Sequence, residues 1–121
     1  MGVINRAAVI LRPKQPFLDW AKSLPDPEAP KSLETLDWEP AAYLVPEAES
    51  KEQIAKMVET EYEFFFTEAL NGWWDEEKDF PKPLTLKMFK EWFSVEIRTV
   101  VEDLVDGPIA EDGEEEPEIR H

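Results

Sequence analysis

The side chains whose spacing could support chemistry are carboxylates on a helix predicted over residues 50–72. Glu59 with Glu63, or Glu61 with Glu68, would lie on one side of that helix, where their oxygens could bind Mg²⁺ or another hard cation. A solvated acidic face explains the same spacing more simply, because carboxylates prefer water. We therefore predict no metal and no cofactor at these positions.

Most other catalytic chemistry lacks the residues it needs. The chain has no cysteine, which excludes disulfide scaffolds, thiolate zinc sites and thiol nucleophiles. The single histidine, His121, lies in a tail that we expect to be mobile, so the chain has almost no histidine available for acid–base catalysis. None of the four glycines stands in GxGxxG or GxxxxGK spacing, which removes the common phosphate-binding loops. The lack of these residues and motifs favours a protein that is not an enzyme.

Glu96 differs from the other carboxylates because it borders an apolar stripe of a second predicted long helix. A buried charge needs a partner, so we expect Glu96 to be partly buried and paired with Arg6 or Arg12 on the first predicted strand. The pair would serve the structure or, alternatively, would be a polar contact in a ligand cleft. We favour the structural version, since a buried carboxylate needs its cation whatever the function.

Two stretches have the patterns of β-strands. Residues 3–12 alternate between two faces, and residues 41–45 are apolar throughout, as expected for a strand covered on both sides. Pro13 and Pro46 would end them. The sequence does not separate parallel from antiparallel pairing.

Three stretches have helical periodicity. The first, residues 16–24, begins with a proline suited to a first turn, and the third, residues 84–106, is apolar on two sides. The second, residues 50–72, opens with Ser50 in a capping-box pattern and ends at Gly72 as a C-cap. We expect its core stripe to be Ile54, Val58, Tyr62, Phe65, Phe66, Ala69 and Trp73. The core stripe expected on the third helix is Leu86, Phe89, Phe93, Ile97, Val100 and Leu104.

These elements predict an α+β fold, in which a small two-stranded sheet packs against two long amphipathic helices and one short helix. The domain would span residues 1–106, and residues 107–121 would form an acidic, mobile tail. We expect the rings of the two long helices to hold the fold together, with Phe65, Phe93 and Val100 facing the core.

Five apolar residues lie outside the main stripes and form a candidate interface. They are Met57, Phe64, Met88, Trp92 and Val95. An exposed apolar patch rimmed by acids often marks a protein interface. The alternative is that these residues cover the sheet.

The formal net charge of −15 at pH 7 is concentrated in the predicted body of the protein. Residues 34–106 hold nineteen acids and seven bases, whereas residues 1–33 hold five bases and three acids. Such acidity argues against direct binding of nucleic acid. The apolar run at residues 7–11 is too short for a signal peptide or a membrane span, which predicts a cytoplasmic protein without membrane contact.

Three segments together resemble a family of short bacterial proteins that have no assigned activity. They are INRAAVILRPKQPFLDWA at residues 4–21, YLVPE at 43–47 and MFKEWFSVEIRTVVEDLVD at 88–106. The resemblance covers most of residues 4–106 and implies a bacterial, cytoplasmic setting. It assigns no role to any residue.

The leading hypothesis is a non-enzymatic cytoplasmic protein that acts through protein contacts and associates with itself as a homodimer. The first alternative is an acidic mimic of nucleic acid that binds a basic DNA-binding protein, because the body carries so much negative charge. The second is a small-ligand binder or enzyme that uses Glu96 and nearby aromatic side chains.

Overall fold

The computed structural model describes residues 2–36 and 40–111 of the 121-residue chain. Helices and strands both contribute, and the predicted α+β class is confirmed. The strands are β1 (Gly2–Val3), β2 (Arg6–Pro13), β3 (Ala42–Pro46), β4 (Phe93–Arg98) and β5 (Glu102–Asp103). The helices are α1 (Gln15–Ser23), α2 (Leu33–Leu36), α3 (Lys51–Thr60), α4 (Tyr62–Trp73) and α5 (Leu86–Trp92), with a 3₁₀ turn at Glu77–Asp79. The far end of the predicted tail, residues 112–121, lies outside the described residues.

The main sheet has three antiparallel strands in the order β3-β2-β4. The two strands expected from the sequence pair with each other, with Ala7 opposite Val45. The third strand, β4, runs along the other side of β2, with Leu11 opposite Val95. The alternating segment at residues 3–12 is therefore the central strand.

A second, two-stranded sheet pairs β1 with β5, the strands that precede β2 and follow β4. Val3 lies opposite Glu102, which is one residue out of register with the β2–β4 pairing. The Ile4 N–H donates to the Val101 carbonyl at 2.9 Å next to this pair. The two sheets are therefore separate ladders, and the register changes between Ile4 and Ala8.

The predicted third helix, residues 84–106, is wrong beyond Trp92, where α5 ends and β4 begins. Phe93 and Ile97 are four residues apart, a spacing that a helix and a strand both place on one face. Pairing with β2 decides in favour of the strand. Phe93 is buried as expected, but Val100 is 66% exposed, so the far half of the expected stripe faces water.

The predicted second helix is divided at Glu61 into α3 and α4. Its start is as expected, because the Ser50 hydroxyl accepts a hydrogen bond from the Gln53 N–H at 3.3 Å. The expected C-cap at Gly72 is wrong. The helix continues to Trp73 and ends in extended Trp74, whose N–H donates to the Leu70 carbonyl at 2.8 Å, so no left-handed glycine is needed.

Aromatic rings from α4, α5 and β4 meet in the middle of the core. Phe66 has no exposed surface, and its ring centroid lies 5.2 Å from Trp92, 5.5 Å from Phe93 and 6.0 Å from Phe89. Contacts of this geometry add about 0.5–1.5 kcal/mol per pair to the burial of the rings. The core also contains most of the stripe expected on the second helix, with Ile54, Val58, Phe65 and Phe66 buried and Tyr62, Ala69 and Trp73 packed against them.

We expect Phe66→Ala to lower the free energy of unfolding by about 3–5 kcal/mol, because it leaves a cavity among the three rings that contact Phe66. Phe64→Ala, two residues away on the same helix, is the control. Its side chain is 57% exposed, so the loss should stay within about 0.5 kcal/mol. Urea denaturation measures both, and equal losses for the two variants would contradict this assignment of the core.

We expect Gly72→Ala to raise the free energy of unfolding by about 0.5–1 kcal/mol, because alanine costs less backbone entropy in a helix. A Cβ at Gly72 would meet nothing within 4 Å. Gly2→Ala is the control, since Gly2 has a φ of +133°, which strains an L residue. Urea denaturation should show a gain for the first variant only, and a loss at Gly72 would show that the glycine is required.

Candidate functional site

One face of the main sheet packs against the helices and the other does not join the core. Side chains alternate along β2, so Ala7, Val9 and Leu11 enter the core while their neighbours point to the opposite side. The pairing register assigns the residues of that opposite side, which we call the open face. They are Arg6, Ala8, Ile10, Arg12, Ala42, Leu44, Pro46, Ser94, Glu96 and Arg98.

The centre of the open face is apolar. Leu44 is 49% exposed and lies opposite Ala8, while half-buried Ile10 lies opposite exposed Ala42. Antiparallel sheets often leave one face to solvent, but that face is then usually polar. Exposed aliphatic side chains at its centre are what a protein interface requires.

Arginines surround this apolar centre. The open face carries three of the four arginines of the chain, Arg6, Arg12 and Arg98, and a single acid, Glu96. Its formal charge is therefore +2, in a chain with a net charge of −15. The face is a local positive patch on a negative molecule.

Glu96 lies between two arginines of the open face. Arg12 Nε donates to Glu96 Oε1, and Arg98 Nη2 donates to Glu96 Oε2 at 3.4 Å. The hydrogen bond from Arg12 is the main cause that lowers the pKa of Glu96. Partial burial opposes it, and the charges of Arg12 and Arg98 reinforce it. Glu96 is accordingly ionised at neutral pH and holds the two guanidinium groups in place.

The structure brings Glu96 and Arg12 together but does not include Arg6 in the pair. Arg6 Nη1 donates instead to the carbonyl and side-chain oxygens of Asn5, each at 2.9 Å. The pairing with Arg12 arises from strand alternation, not from the edge of a helix as the sequence suggested. Glu96 is half-buried, with 27% of its side chain exposed.

The five candidate interface residues do not share one environment. Met57, Met88 and Trp92 pack against the core, and the Trp92 ring contacts Phe66. Phe64 and Val95 are exposed. Met88, Trp92 and Val95 do not lie along one face of a helix, because α5 ends at Trp92 and Val95 belongs to β4.

Leu44 is an exposed aliphatic residue of the open face that sequence reasoning missed. Residues 41–45 were interpreted as a strand covered on both sides, and that interpretation is wrong, because only one side faces the core. Tyr43 and Val45 flank Leu44 and point towards the helices. A signal was present in the arginines of β2, which mark the opposite side of the sheet as accessible to water.

The carboxylates singled out by their helical spacing lie on α3, α4 and the junction between them. Glu59 Oε1 forms an ion pair with Lys90 Nζ at 3.1 Å, and this pair links α3 to α5. Within residues 2–36 and 40–111, no three acidic or histidine side chains are grouped as a metal site would require.

Comparison of the chain with protein-family models, curated proteins and solved structures gave no match. Of the helices in the described part of the chain, none has the length and apolar character needed to cross a membrane.

We expect Arg12→Ala to raise the pKa of Glu96 back towards the usual range of a glutamate, because it removes the largest stabilising contact of the carboxylate. Arg98→Ala is the control and should change this pKa less, since the hydrogen bond from Arg98 is long, at 3.4 Å, and its charge is the smallest of the causes that lower the pKa. A carbon-detected NMR titration of the Glu96 carboxyl measures both variants.

The same contact makes stability depend on pH. Folding lowers the pKa of Glu96, so its contribution is complete above the unfolded-state pKa and is lost as the pH falls through the folded-state pKa. In Arg12→Ala this loss should be smaller in acid unfolding curves, because only Arg98 remains to lower the pKa of Glu96. A Glu96 pKa that does not respond to Arg12→Ala would contradict the assigned contact.

Proposed function

We propose that this protein acts without catalysis by binding another protein chain through the open face of its sheet. The observation that carries the proposal is the apolar centre, with Leu44 exposed and Ile10 half-buried, between the arginines of the open face. Protein interfaces combine an apolar centre with a polar rim, and arginine is enriched among the residues that dominate their affinity.

The charge of the open face indicates the chemistry of the partner. A guanidinium group binds a carboxylate through two parallel hydrogen bonds, which makes arginine a selective reader of acidic side chains. Arg98 is well exposed and its bond to Glu96 is long, so it has donors left for a partner. The partner we propose presents acidic side chains next to aliphatic ones.

A short acidic segment fits this surface better than two other occupants. Nucleic acid extends past the open face and would meet the acids that give the chain its net charge of −15. A second copy stacked face to face would bring two sets of arginines together. We therefore place the homodimer second to a different, acidic partner.

Two alternatives remain as proposals with less support. A mimic of nucleic acid would use the acids outside the open face to bind a basic protein. A ligand site at Glu96 is disfavoured, because its carboxylate already binds Arg12 and Arg98. The setting we propose, on the resemblance to short bacterial proteins, is the bacterial cytoplasm.

The test uses a fluorescein-labelled peptide that alternates glutamate and valine, with fluorescence anisotropy as the measurement. We expect Leu44→Asp and Arg98→Glu each to weaken binding about tenfold, which corresponds to about 1.4 kcal/mol. Phe64→Asp and Lys56→Glu are matched controls, because they make the same changes at exposed positions of α4 and α3. Their affinities should stay at the wild-type value.

Three outcomes would contradict the proposal. The peptide could bind all four variants equally. A lysine-rich peptide could bind instead, with strong salt dependence and no effect of Leu44→Asp, which would favour the nucleic-acid mimic. Light scattering could show a dimer that Leu44→Asp dissociates, which would assign the open face to a second copy.

A further inference from the structure

β4 is an outer strand of the main sheet, because the strand order is β3-β2-β4. One edge of β4 pairs with β2, and we call the other its free edge. Along a strand, successive residues direct their backbone N–H and C=O groups to opposite sides. Every second residue of β4 therefore directs both groups to the free edge.

One hydrogen bond identifies these residues. The Lys14 N–H donates to the Trp92 carbonyl at 2.8 Å, so these two residues form a hydrogen-bonded pair. Such pairs alternate with non-hydrogen-bonded ones along an antiparallel ladder. Pro13, which has no N–H, lies opposite Phe93 in the next pair, as this alternation requires. The β4 residues that bond to β2 are therefore Ser94, Glu96 and Arg98. The residues that point to the free edge are Phe93, Val95 and Ile97.

The free edge of β4 has two unpaired donors. The Phe93 N–H donates to the Phe89 carbonyl at the end of α5, whereas the N–H groups of Val95 and Ile97 have no acceptor in the described part of the chain. A backbone N–H without a protein acceptor needs water. Val95 is 37% exposed. The exposed Arg98 side chain also reaches this edge, where its Nη1 donates to the Ile97 carbonyl at 3.2 Å. The edge is therefore open to solvent.

β4 lacks two features that protect exposed strand edges. Prolines and lysines on an outer strand discourage its pairing with another chain. The other outer strand, β3, ends at Pro46, and Pro40 lies just before its start. β4 has the sequence FSVEIR and contains neither proline nor lysine. Of the two outer strands, β4 is therefore the better template for a further strand.

We propose that the free edge of β4 pairs antiparallel with β4 of a second copy of this chain, with Ile97 opposite Ile97 of that copy. The outward N–H and C=O groups of each Ile97 then bond to those of the other. A two-fold axis relates the copies, and their three-stranded sheets join into one of six strands. Both open faces lie on the same side of the joined sheet and stay accessible. The contact therefore goes beyond the proposed function and differs from a face-to-face stack.

The charges of β4 favour a second copy as the occupant of this edge. When Ile97 lies opposite Ile97, Glu96 lies opposite Arg98 of the second copy, and Arg98 lies opposite its Glu96. Opposite charges directly across an antiparallel pair attract, so the strand is complementary to itself. Val95 opposite Ile97 would instead place Glu96 opposite Glu96, which is repulsive. β4 carries one acid and one base, so the two strands meet without net charge.

The test is sedimentation velocity of the full chain over a series of concentrations. We expect a dimer that Glu96→Arg and Arg98→Glu each weaken at least about tenfold, because each variant places like charges across the pair. An equimolar mixture of the two variants should dimerise again, since the new arginine faces the new glutamate. Leu44→Asp and Lys56→Glu are the controls and should leave the dimer unchanged, because they lie outside β4.

A second pair of variants tests the backbone contact. Val95→Pro removes an outward N–H and places a proline ring at the free edge, a position that outer strands tolerate. It should abolish the dimer, whereas Val95→Ala, which keeps the N–H, should retain it. Circular dichroism checks that each variant is folded. A wild-type chain that stays monomeric at every concentration, a dimer dissociated by Leu44→Asp, or a charge-variant mixture that stays monomeric would each overturn the proposal.

Discussion

The pairing of β4 with β2 is the constraint on which the rest of the structure depends. It begins where the Lys14 N–H donates to the Trp92 carbonyl at 2.8 Å, which ties the end of α5 to the start of α1. The ladder then places Phe93 beneath Phe17 and Phe66, with ring centroids at 5.4 Å and 5.5 Å. The backbone hydrogen bonds between β2 and β4 therefore position Phe93 in the core. On the opposite side of the sheet, the same bonds position Glu96 next to Arg12 and Arg98.

The two sides of the sheet perform different tasks as a result. The helix-covered side buries aromatic rings and aliphatic side chains away from water. The open face has apolar residues without a matching layer, and its charge is opposite to that of the whole chain. Apart from Glu96, the acids in the described part of the chain lie outside the open face, so the positive patch is separated from most of the negative charge of the molecule.

Sequence patterns predict the local elements of this fold better than the arrangement of its third strand. The α1 helix, the cap at Ser50, both early strands and the core stripe through Phe66 follow from period, proline placement and capping chemistry. Residues 93–98 do not, since apolar residues four apart satisfy both periods and only the contact with β2 decides. No local signal explains the division of the long helix at Glu61.

The sequence likewise predicts only some of the site residues. The sequence predicts that Glu96 pairs with Arg6 or Arg12, because a buried charge needs its opposite, and the structure shows Arg12, although Glu96 lies on a strand and not on the predicted helix. Leu44 was missed because its exposure depends on which face the helices cover, and only the arginines of β2 indicate that face in the sequence.

The one-residue register shift between the two sheets limits how much surface a partner can use. The pairing of β2 with β4 ends at Ala8 and Arg98, and its pairing with β3 ends at Arg6 and Pro46, so the platform made by eight-residue β2 ends near Arg6. At about 3.3 Å per residue, that platform is about 25 Å long. A protein segment bound along this platform, as proposed, would have room for one short strand or helical stretch. A longer segment would have to bend or leave the surface.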